Sequence, residues 1–189
     1  MVSQPIVGAL LAQWFDAVVT VDPHLHRIER LEQAVPARFT AVVSAAPALG
    51  LFVASLDDPV LIGPDVESKQ WVGRIARDCG CTFGVARKIR RGDADVEVAL
   101  PAIDLHHREV LLVDDIASTG GTLAAAARAA QAAGARAVHA LVTHALFPGQ
   151  AETTVKSAGI DRIWSSDSVP HRSNAIELAP LLAKAVAGL

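Results

Sequence analysis

Short apolar runs and stretches with helical spacing alternate along the 189-residue chain. The apolar runs are rich in β-branched residues and predict strands, at residues 17–21, 41–43, 59–62, 81–86, 97–100, 109–113, 137–143 and 160–165. Stretches with apolar residues three and four apart predict helices, at residues 3–15, 49–54, 67–79, 122–133 and 180–187. Because strands that alternate with helices favour a parallel sheet, we expect an α/β fold with helices on both faces of the sheet.

The clearest strand–turn–helix unit is VLLVDDIASTGGT, residues 110–122. Asp114 and Asp115 follow the apolar strand directly, at the edge where open α/β sheets bind ligands. Adjacent carboxylates there can accept hydrogen bonds from the vicinal hydroxyls of ribose, or hold Mg²⁺ through water. The next residues offer the hydroxyls, backbone N–H groups and helix N-terminus that suit a phosphate: Ser118, Thr119, Gly120, Gly121 and Thr122. The alternative is an ordinary capped turn, which does not require the two aspartates.

Composition narrows the possible partners. The formal net charge of −3 argues against nucleic acid or an anionic membrane as the main partner. Hydrophobic residues make up 51% of the chain and can form a core, but no apolar run reaches the roughly 18 residues of a membrane span. The N-terminal residues do not have the pattern of a signal peptide. Cys79 and Cys81 form a Cys-Gly-Cys pair, which we interpret as two reduced thiols of a cytoplasmic protein.

The run at residues 110–122 resembles the phosphoribosyl-diphosphate signature shared by type I phosphoribosyltransferases and ribose-phosphate diphosphokinases. Further motifs stand in the order of the diphosphokinase family: Val21-Asp22-Pro23-His24, Gly63-Pro64-Asp65, Thr143-His144 and Ser166-Asp167-Ser168-Val169-Pro170. The K-x-R-x-G-D-x-x-V-E-V pattern at residues 88–98 is most similar to the archaeal-like branch. The resemblance covers nearly the whole chain and implies a type I phosphoribosyltransferase-like sheet.

The resemblance also implies a reaction and a role for each matching residue. ATP would transfer its diphosphate to ribose 5-phosphate, giving phosphoribosyl diphosphate and AMP, with Mg²⁺ as the cofactor. His24 and Asp65 would hold the metal, and Lys88 and Arg90 would stabilise charge on the transferred phosphoryl group. Asp114 and Asp115 would bind the ribose hydroxyls, and residues 118–122 its 5-phosphate.

Each of these residues also has a simpler interpretation. His24 and His26 are compatible with an exposed loop pair, and Asp65 with a helix N-cap. Lys88 and Arg90 are compatible with a solvated loop. We interpret His106 and His107 as surface residues, and we assign no role to His144.

The chain departs from the family pattern in two places. The family carries an Arg-Gln-Asp segment that holds the adenine nucleotide, and this tripeptide does not occur in the sequence. Ser3-Gln4-Pro5-Ile6 resembles the helix that follows that segment in the family. We therefore expect residues 1–45 to be the remnant of an N-terminal phosphoribosyltransferase-like domain, and residues 46–189 to form the C-terminal domain, whose last helix is available to pack on the remnant. Glu67 also stands in the loop that should hold diphosphate, where its charge would be repulsive unless it points away.

Three hypotheses about function follow. The first is a ribose-phosphate diphosphokinase, or a shortened form of one, that acts on ATP and ribose 5-phosphate. The second is a phosphoribosyltransferase that consumes phosphoribosyl diphosphate, although no base-recognition segment is evident. The third is a non-catalytic regulatory subunit, which the missing Arg-Gln-Asp segment favours over the second. An apolar face left exposed on residues 1–45 would drive self-association, so we expect a homo-oligomer.

Overall fold

The structure is a computed structural model that describes residues 3–25, 28–90 and 96–189. The chain forms two compact units. The N-terminal unit comprises Met1–Ala45 together with Leu178–Leu189, and the sheet unit comprises Ala46–Glu177. Residues 178–189 therefore group with the N-terminal residues, whereas the expected C-terminal domain, residues 46–189, included them. That residues 1–45 are the remnant of another domain stays a prediction.

Helices and strands alternate along nearly the whole chain. In chain order the described elements are α1 (Ser3–Leu11), β1 (Ala17–Val21), α2 (Leu31–Ala34), β2 (Phe39–Val43), α3 (Ala46–Val53), β3 (Val60–Gly63), a 3₁₀ turn (Val66–Ser68), α4 (Lys69–Cys79), β4 (Phe83–Val85), β5 (Arg87–Arg90), β6 (Val96–Ala99), β7 (Glu109–Ala117), α5 (Gly121–Ala132), β8 (Ala137–Ala145), α6 (Ala151–Ser157), β9 (Arg162–Ser166), β10 (Asn174–Ile176) and α7 (Ala179–Val186). In the ranges that the structure describes, the helices are too short or too polar to cross a membrane.

The sheet unit contains a six-stranded sheet with the strand order β10-β9-β8-β7-β3-β4. Every neighbouring pair in this sheet is parallel. All carboxyl ends of its strands therefore lie along one edge, which is where the candidate residues follow their strands. The expected α/β fold with a parallel sheet flanked by helices is confirmed.

Helices cover the sheet because its strands are apolar on both sides. Val110 and Leu112 of β7 cluster with Leu123 and Ala127 of α5. Alanines dominate the buried side of α5, so its backbone lies close to the sheet. Leu111, the residue between Val110 and Leu112, is also fully buried, and α4 packs against β3, β4 and β7.

The N-terminal unit has a smaller framework. Its strands β1 and β2 form a two-stranded parallel sheet, in register from Ala17–Phe39 to Val21–Val43. The helix α1 packs through Gly8 on Ala34 of α2, so closely that a side chain at Gly8 would overlap the Ala34 carbonyl group. The helix α7 packs on β1 and β2.

Two predicted boundaries near the phosphate loop shift in the structure. The strand predicted to end at residue 113 continues to Ala117, because β8 pairs with β7 as far as Ala117–Ala145. Asp114 and Asp115 therefore lie within the strand, because polar side chains do not interrupt a backbone ladder that has a partner. The helix predicted at residues 67–79 begins with a 3₁₀ turn and becomes α-helical at Lys69.

The cysteine pair lies at the C-terminal end of α4, which Gly80 closes in a left-handed conformation. The structure joins Cys79 and Cys81 in a disulfide. The prediction of two reduced thiols was therefore wrong, because the turn at Gly80 brings the two side chains together.

Candidate functional site

Asp114 and Asp115 lie where β7 extends beyond its neighbour β3. The two strands pair from Val60–Val110 to Ile62–Leu112, and β3 ends one residue later at Gly63. On its other side β7 stays paired with β8, with Asp114 opposite Val142. The Asp115 N–H donates to the Asp114 carboxylate at 3.0 Å, and the Ile116 N–H to the Asp115 carboxylate at 2.8 Å. The two side chains are thus held at the carboxyl edge of the sheet.

The phosphate loop, residues 118–122, comprises the turn after β7 and the first two residues of α5. Gly120 has a φ of +77°, and a side chain there would overlap Val155 of α6. Its carbonyl accepts the first helical hydrogen bond, from the Ala124 N–H at 2.8 Å. Ala117, the last residue of β7, is also held by hydrogen bonds, since its carbonyl accepts from the N–H groups of Leu146 and Phe147.

The N-terminus of α5 opens on this loop. The first turn of a helix has N–H groups without intrahelical partners, and their dipoles favour an anion. Gly120 is the N-cap and has no side chain to cap them. Ser118 and Thr119 are exposed beside this turn. The loop can therefore bind a phosphate group with backbone N–H donors and two hydroxyls.

Asp65 reaches the same edge from β3. Its carboxylate accepts from the Glu67 N–H at 3.1 Å, and its carbonyl accepts from the Ser68 hydroxyl at 2.6 Å. Asp65 therefore caps the turn before α4, as the simpler interpretation proposed. The Glu67 side chain is exposed, so the repulsive carboxylate faces solvent.

The three aspartates influence one another electrostatically. Burial, and after it the charges of Asp115 and Asp65, together raise the pKa of Asp114 to about 8. A hydrogen bond with the Asp115 side chain also favours the protonated form of Asp114, whereas the Asp115 N–H opposes it. Asp114 therefore holds a proton near neutral pH unless a bound cation or a ligand hydroxyl that donates a hydrogen bond stabilises its ionised form.

The remaining predicted site residues belong to other parts of the chain. His24 follows β1 in the N-terminal unit, where its carbonyl accepts from the Gln4 side chain at 3.0 Å. Lys88 and Arg90 lie in β5, in antiparallel register with Val98 and Val96 of β6. The side chains of Lys88 and Arg90, the residues 91–95 and His26 lie outside the described residues. The roles predicted for His24, Lys88 and Arg90 stay predictions.

A group of polar residues lies on β8, on β9 and in the turn after β9, and no role was predicted for it from the sequence. The hydroxyls of Ser166 and Ser168 both donate to the Thr143 carbonyl, at 2.6 and 2.9 Å. Nδ1 of His144 lies 2.8 Å from the Ser168 oxygen. Because Ser168 donates its single hydrogen to Thr143, Nδ1 of His144 carries the hydrogen of this contact. His144 also pairs with Ile116 across the strands, which places it beside the phosphate loop. Its signal in the sequence was a histidine directly after an apolar strand.

A metal ion at this edge of the sheet would need ligands besides the described side chains. Within residues 3–25, 28–90 and 96–189, no group of three or more His, Cys, Asp or Glu side chains is arranged to hold a metal ion. A divalent cation at Asp65, Asp114 and Asp115 would therefore need further oxygen ligands from a substrate or from water.

Comparisons with known proteins agree with this geometry. The sequence profile described as "Phosphoribosyl transferase domain" matches residues 50–175. A ribose-phosphate pyrophosphokinase from Methanopyrus kandleri is 37% identical over 178 residues, which cover 92% of this chain and 60% of that protein. Ribose-phosphate pyrophosphokinase 2 from Archaeoglobus fulgidus is 35% identical over 185 residues, which cover 97% of this chain and 65% of that protein.

Among solved structures, a phosphoribosylpyrophosphate synthetase from Mycobacterium smegmatis has the same fold. It superposes with a TM-score of 0.77 at 22% sequence identity, over 97% of this chain and 63% of that one. This chain thus spans between three fifths and two thirds of the length of each of these proteins.

Proposed function

This chain belongs to the phosphoribosyl transferase domain family, and we propose that it binds ribose 5-phosphate for a ribose-phosphate diphosphokinase reaction. The resemblance to diphosphokinases of the archaeal-like branch is confirmed by the relatives named above. The observation that supports the proposal best is the adjacency of the Asp114–Asp115 pair and the phosphate loop on one strand–turn–helix unit. Carboxylates for a vicinal diol and N–H donors for a phosphate match the two ends of ribose 5-phosphate.

The proposed reaction transfers the terminal diphosphate of ATP. The anomeric hydroxyl oxygen of ribose 5-phosphate attacks the β-phosphorus, and the bond from that phosphorus to the α–β bridging oxygen breaks. AMP leaves with the bridging oxygen, and the hydroxyl proton passes to solvent. Such an in-line transfer depends on positioning and on fixed positive charge, the role proposed for Lys88 and Arg90.

We propose Mg²⁺ as the cofactor, with His24 and Asp65 among its ligands. The environment of Asp114 supports the fit, because its pKa is raised first by burial and then by the charges of Asp115 and Asp65, and a divalent cation would offset that negative charge. Mg²⁺ commonly takes one or two carboxylates and completes its shell with water and phosphate oxygens. When bound, it would neutralise charge on the diphosphate group.

Two alternatives remain as proposals of lower rank. A non-catalytic subunit would keep the ribose-phosphate site of the sheet unit without carrying out the transfer. A phosphoribosyltransferase would share the ribose-phosphate site. The chain spans less than two thirds of its diphosphokinase relatives, so the complete reaction is a proposal for this chain. We also propose a cytoplasmic, homo-oligomeric protein.

The first experiment measures products directly. The protein is incubated with Mg²⁺, ATP and ribose 5-phosphate, and AMP and phosphoribosyl diphosphate are quantified. Formation of both products supports the diphosphokinase and excludes the non-catalytic subunit. Pyrophosphate release from phosphoribosyl diphosphate and a nucleobase would instead favour the transferase.

A binding measurement tests the ribose 5-phosphate site separately from the diphosphate transfer. Ribose 5-phosphate is titrated into the wild type, Asp115→Ala and the exposed control Asp57→Ala by calorimetry. Asp115→Ala is expected to weaken binding about tenfold or more, since two charge-assisted hydrogen bonds are lost. Asp57→Ala is expected to bind as the wild type does. Equal affinity of all three proteins for ribose 5-phosphate would contradict the proposal that Asp115 binds the ribose hydroxyls.

A further inference from the structure

Four buried polar side-chain atoms have no hydrogen-bond partner within the ranges that the structure describes. They are Thr20 Oγ1, Trp71 Nε1, His139 Nδ1 and Thr143 Oγ1. A buried polar group without a partner lowers stability, so folded proteins retain few of them, and a functional role is one reason to retain one. Thr143 lies near the carboxyl end of β8, at the edge of the sheet that carries the candidate site.

Thr143 stands directly opposite Asp115 in the sheet. The register pairs Asp114 with Val142, and it pairs Ile116 with the residue two positions further along β8, so Thr143 and Asp115 are neighbours across the two strands. Side chains alternate between the faces along a strand, and these two therefore project from the same face. Neighbouring strands lie about 4.8 Å apart, which brings a threonine hydroxyl within hydrogen-bond reach of a carboxylate on the next strand.

The backbone of Thr143 is fixed by hydrogen bonds from the neighbouring strand and turn. Its carbonyl accepts from the hydroxyls of Ser166 and Ser168, at 2.6 and 2.9 Å. The side chain is fully buried. Rotation about the Cα–Cβ bond is therefore the main freedom left to this side chain, and a β-branched residue has few allowed rotamers. The hydroxyl is thus a donor held in one place beside Asp115.

The Asp115 carboxylate has room for several hydrogen bonds. One of its oxygens accepts from the Ile116 N–H at 2.8 Å. An ionised carboxylate has about four acceptor positions on its two oxygens, so it can accept from the ribose hydroxyls and from a protein hydroxyl together. Hydrogen bonds to an ionised acceptor are the stronger ones, and each of them restricts the direction of the carboxylate. Because Thr143 is fully buried, its hydroxyl can act on this carboxylate rather than on the ligand itself.

We propose that Thr143 is a positioning residue for ribose 5-phosphate. Its hydroxyl is unpaired in the free protein and donates to the Asp115 carboxylate when that carboxylate binds the ribose hydroxyls. The free protein carries the cost of the unpaired hydroxyl and the ligand-bound protein does not, so the difference adds to the affinity for ribose 5-phosphate. This inference rests on the proposed function, because it requires ribose to bind at Asp115.

The first test compares two threonines whose hydroxyls are both buried and unpaired. Thr143→Val replaces the hydroxyl by a methyl group of similar size, and Thr20→Val makes the same change in β1 of the N-terminal unit. Both variants are expected to raise the Tm of the ligand-free protein by about 2–4 °C, since each removes an unpaired polar group. A lower Tm for Thr143→Val would show that its hydroxyl is already bonded in the free protein and would overturn the proposal.

Calorimetric titration with ribose 5-phosphate then measures the effect on binding. Thr143→Val is expected to weaken binding about fivefold, which corresponds to the loss of one hydrogen bond. Thr143→Ser keeps the hydroxyl and is expected to bind nearly as the wild type does, and Thr20→Val is expected to be unchanged. Wild-type affinity in Thr143→Val, or equal losses in Thr143→Val and Thr143→Ser, would contradict the role of the hydroxyl.

A double-mutant cycle tests whether Thr143 acts through Asp115. In an Asp115→Ala background, Thr143→Val is expected to leave the remaining affinity unchanged, because the acceptor of its hydrogen bond is gone. A fivefold loss that persists in this background would overturn the positioning role. Binding that depends on Asp115 and not on Thr143 would overturn this inference alone. A wild type that does not bind ribose 5-phosphate would overturn the proposed function and this inference with it.

Discussion

The strands of the two units have the same apolar composition but very different surroundings. In the sheet unit, all four residues of β3 (VLIG) are buried between neighbouring strands and helices. In the N-terminal unit, β1 (AVVTV) and β2 (FTAVV) have no fully buried residue. Near-continuous apolar strands are typical of parallel sheets that are covered on both faces. The helices of the sheet unit therefore cover β3 completely, whereas α2 and α7 leave the strands of the N-terminal unit partly exposed.

The largest expected difference between the units concerns side-chain truncation. Leu111→Ala removes a fully buried side chain of β7 and is expected to lower the free energy of unfolding by about 2–5 kcal/mol. Leu10→Ala on the exposed side of α1 is expected to change it by less than about 0.5 kcal/mol. Urea unfolding at low protein concentration measures both. Similar losses in the two variants would contradict the contrast between the units.

The next prediction concerns the carboxylate cluster of the sheet unit. The pKa of Asp114 is raised to about 8 in the folded protein, so the folded state keeps a proton that the unfolded chain releases near pH 4. The stability that comes from this group is therefore complete below about pH 4 and is lost as the pH rises towards 8. Asp114→Asn stays neutral, so its stability advantage over the wild type should grow across this range.

Thermal unfolding at pH 4, 6 and 8 measures this trend. For a chain of this length, each kcal/mol corresponds to about 2–4 °C in Tm. The exposed Asp57→Asn serves as the control and is expected to follow the wild type. An advantage of Asp114→Asn that shrinks with rising pH would contradict the assigned cause.

A smaller effect is expected at the glycine of the phosphate loop. Gly120→Ala combines a positive φ with a collision against Val155, so we expect a loss of stability of about 2 kcal/mol or more. Gly149 also has a positive φ, but no atom lies within 4 Å of the added carbon, so Gly149→Ala should cost about 1 kcal/mol. Chemical denaturation measures both. Ribose 5-phosphate affinity should fall in Gly120→Ala alone.

The smallest effect is expected for the serine hydrogen bonds beside the loop. Ser166→Ala removes a buried donor to the Thr143 carbonyl and is expected to cost about 1 kcal/mol. Ser55→Ala removes an exposed bond of equal length, 2.6 Å to the Phe52 carbonyl, and should cost less. Thermal unfolding ranks the two variants, and the reverse order would show that burial does not determine the difference.

Local patterns were sufficient for the phosphate loop and for most strands. Residues 110–122 were identified as strand, turn and helix because an apolar run, two aspartates and two glycines follow one another in the sequence. The helix α6 and the strand β10 were missed, since both are short and their apolar residues show no clear period. The helix N-cap at Asp65 was expected from the sequence. The effect of the Asp65 charge on the pKa of Asp114 was not expected, because Asp65 follows β3 whereas Asp114 lies in β7.

The sequence by itself determined the fold class, the family and the strand–turn–helix unit at residues 110–122, since these depend on the order of residue types along the chain. Tertiary structure decided what depends on distances between strands. It raised the pKa of Asp114 by burying its carboxyl group and by bringing Asp65 towards it, and it placed His144 beside the loop through the pairing of β7 with β8. It also decided which apolar residues stay exposed. The sequence of an apolar strand or helix does not show whether other elements pack on it, so tertiary packing determines whether its side chains are buried or exposed.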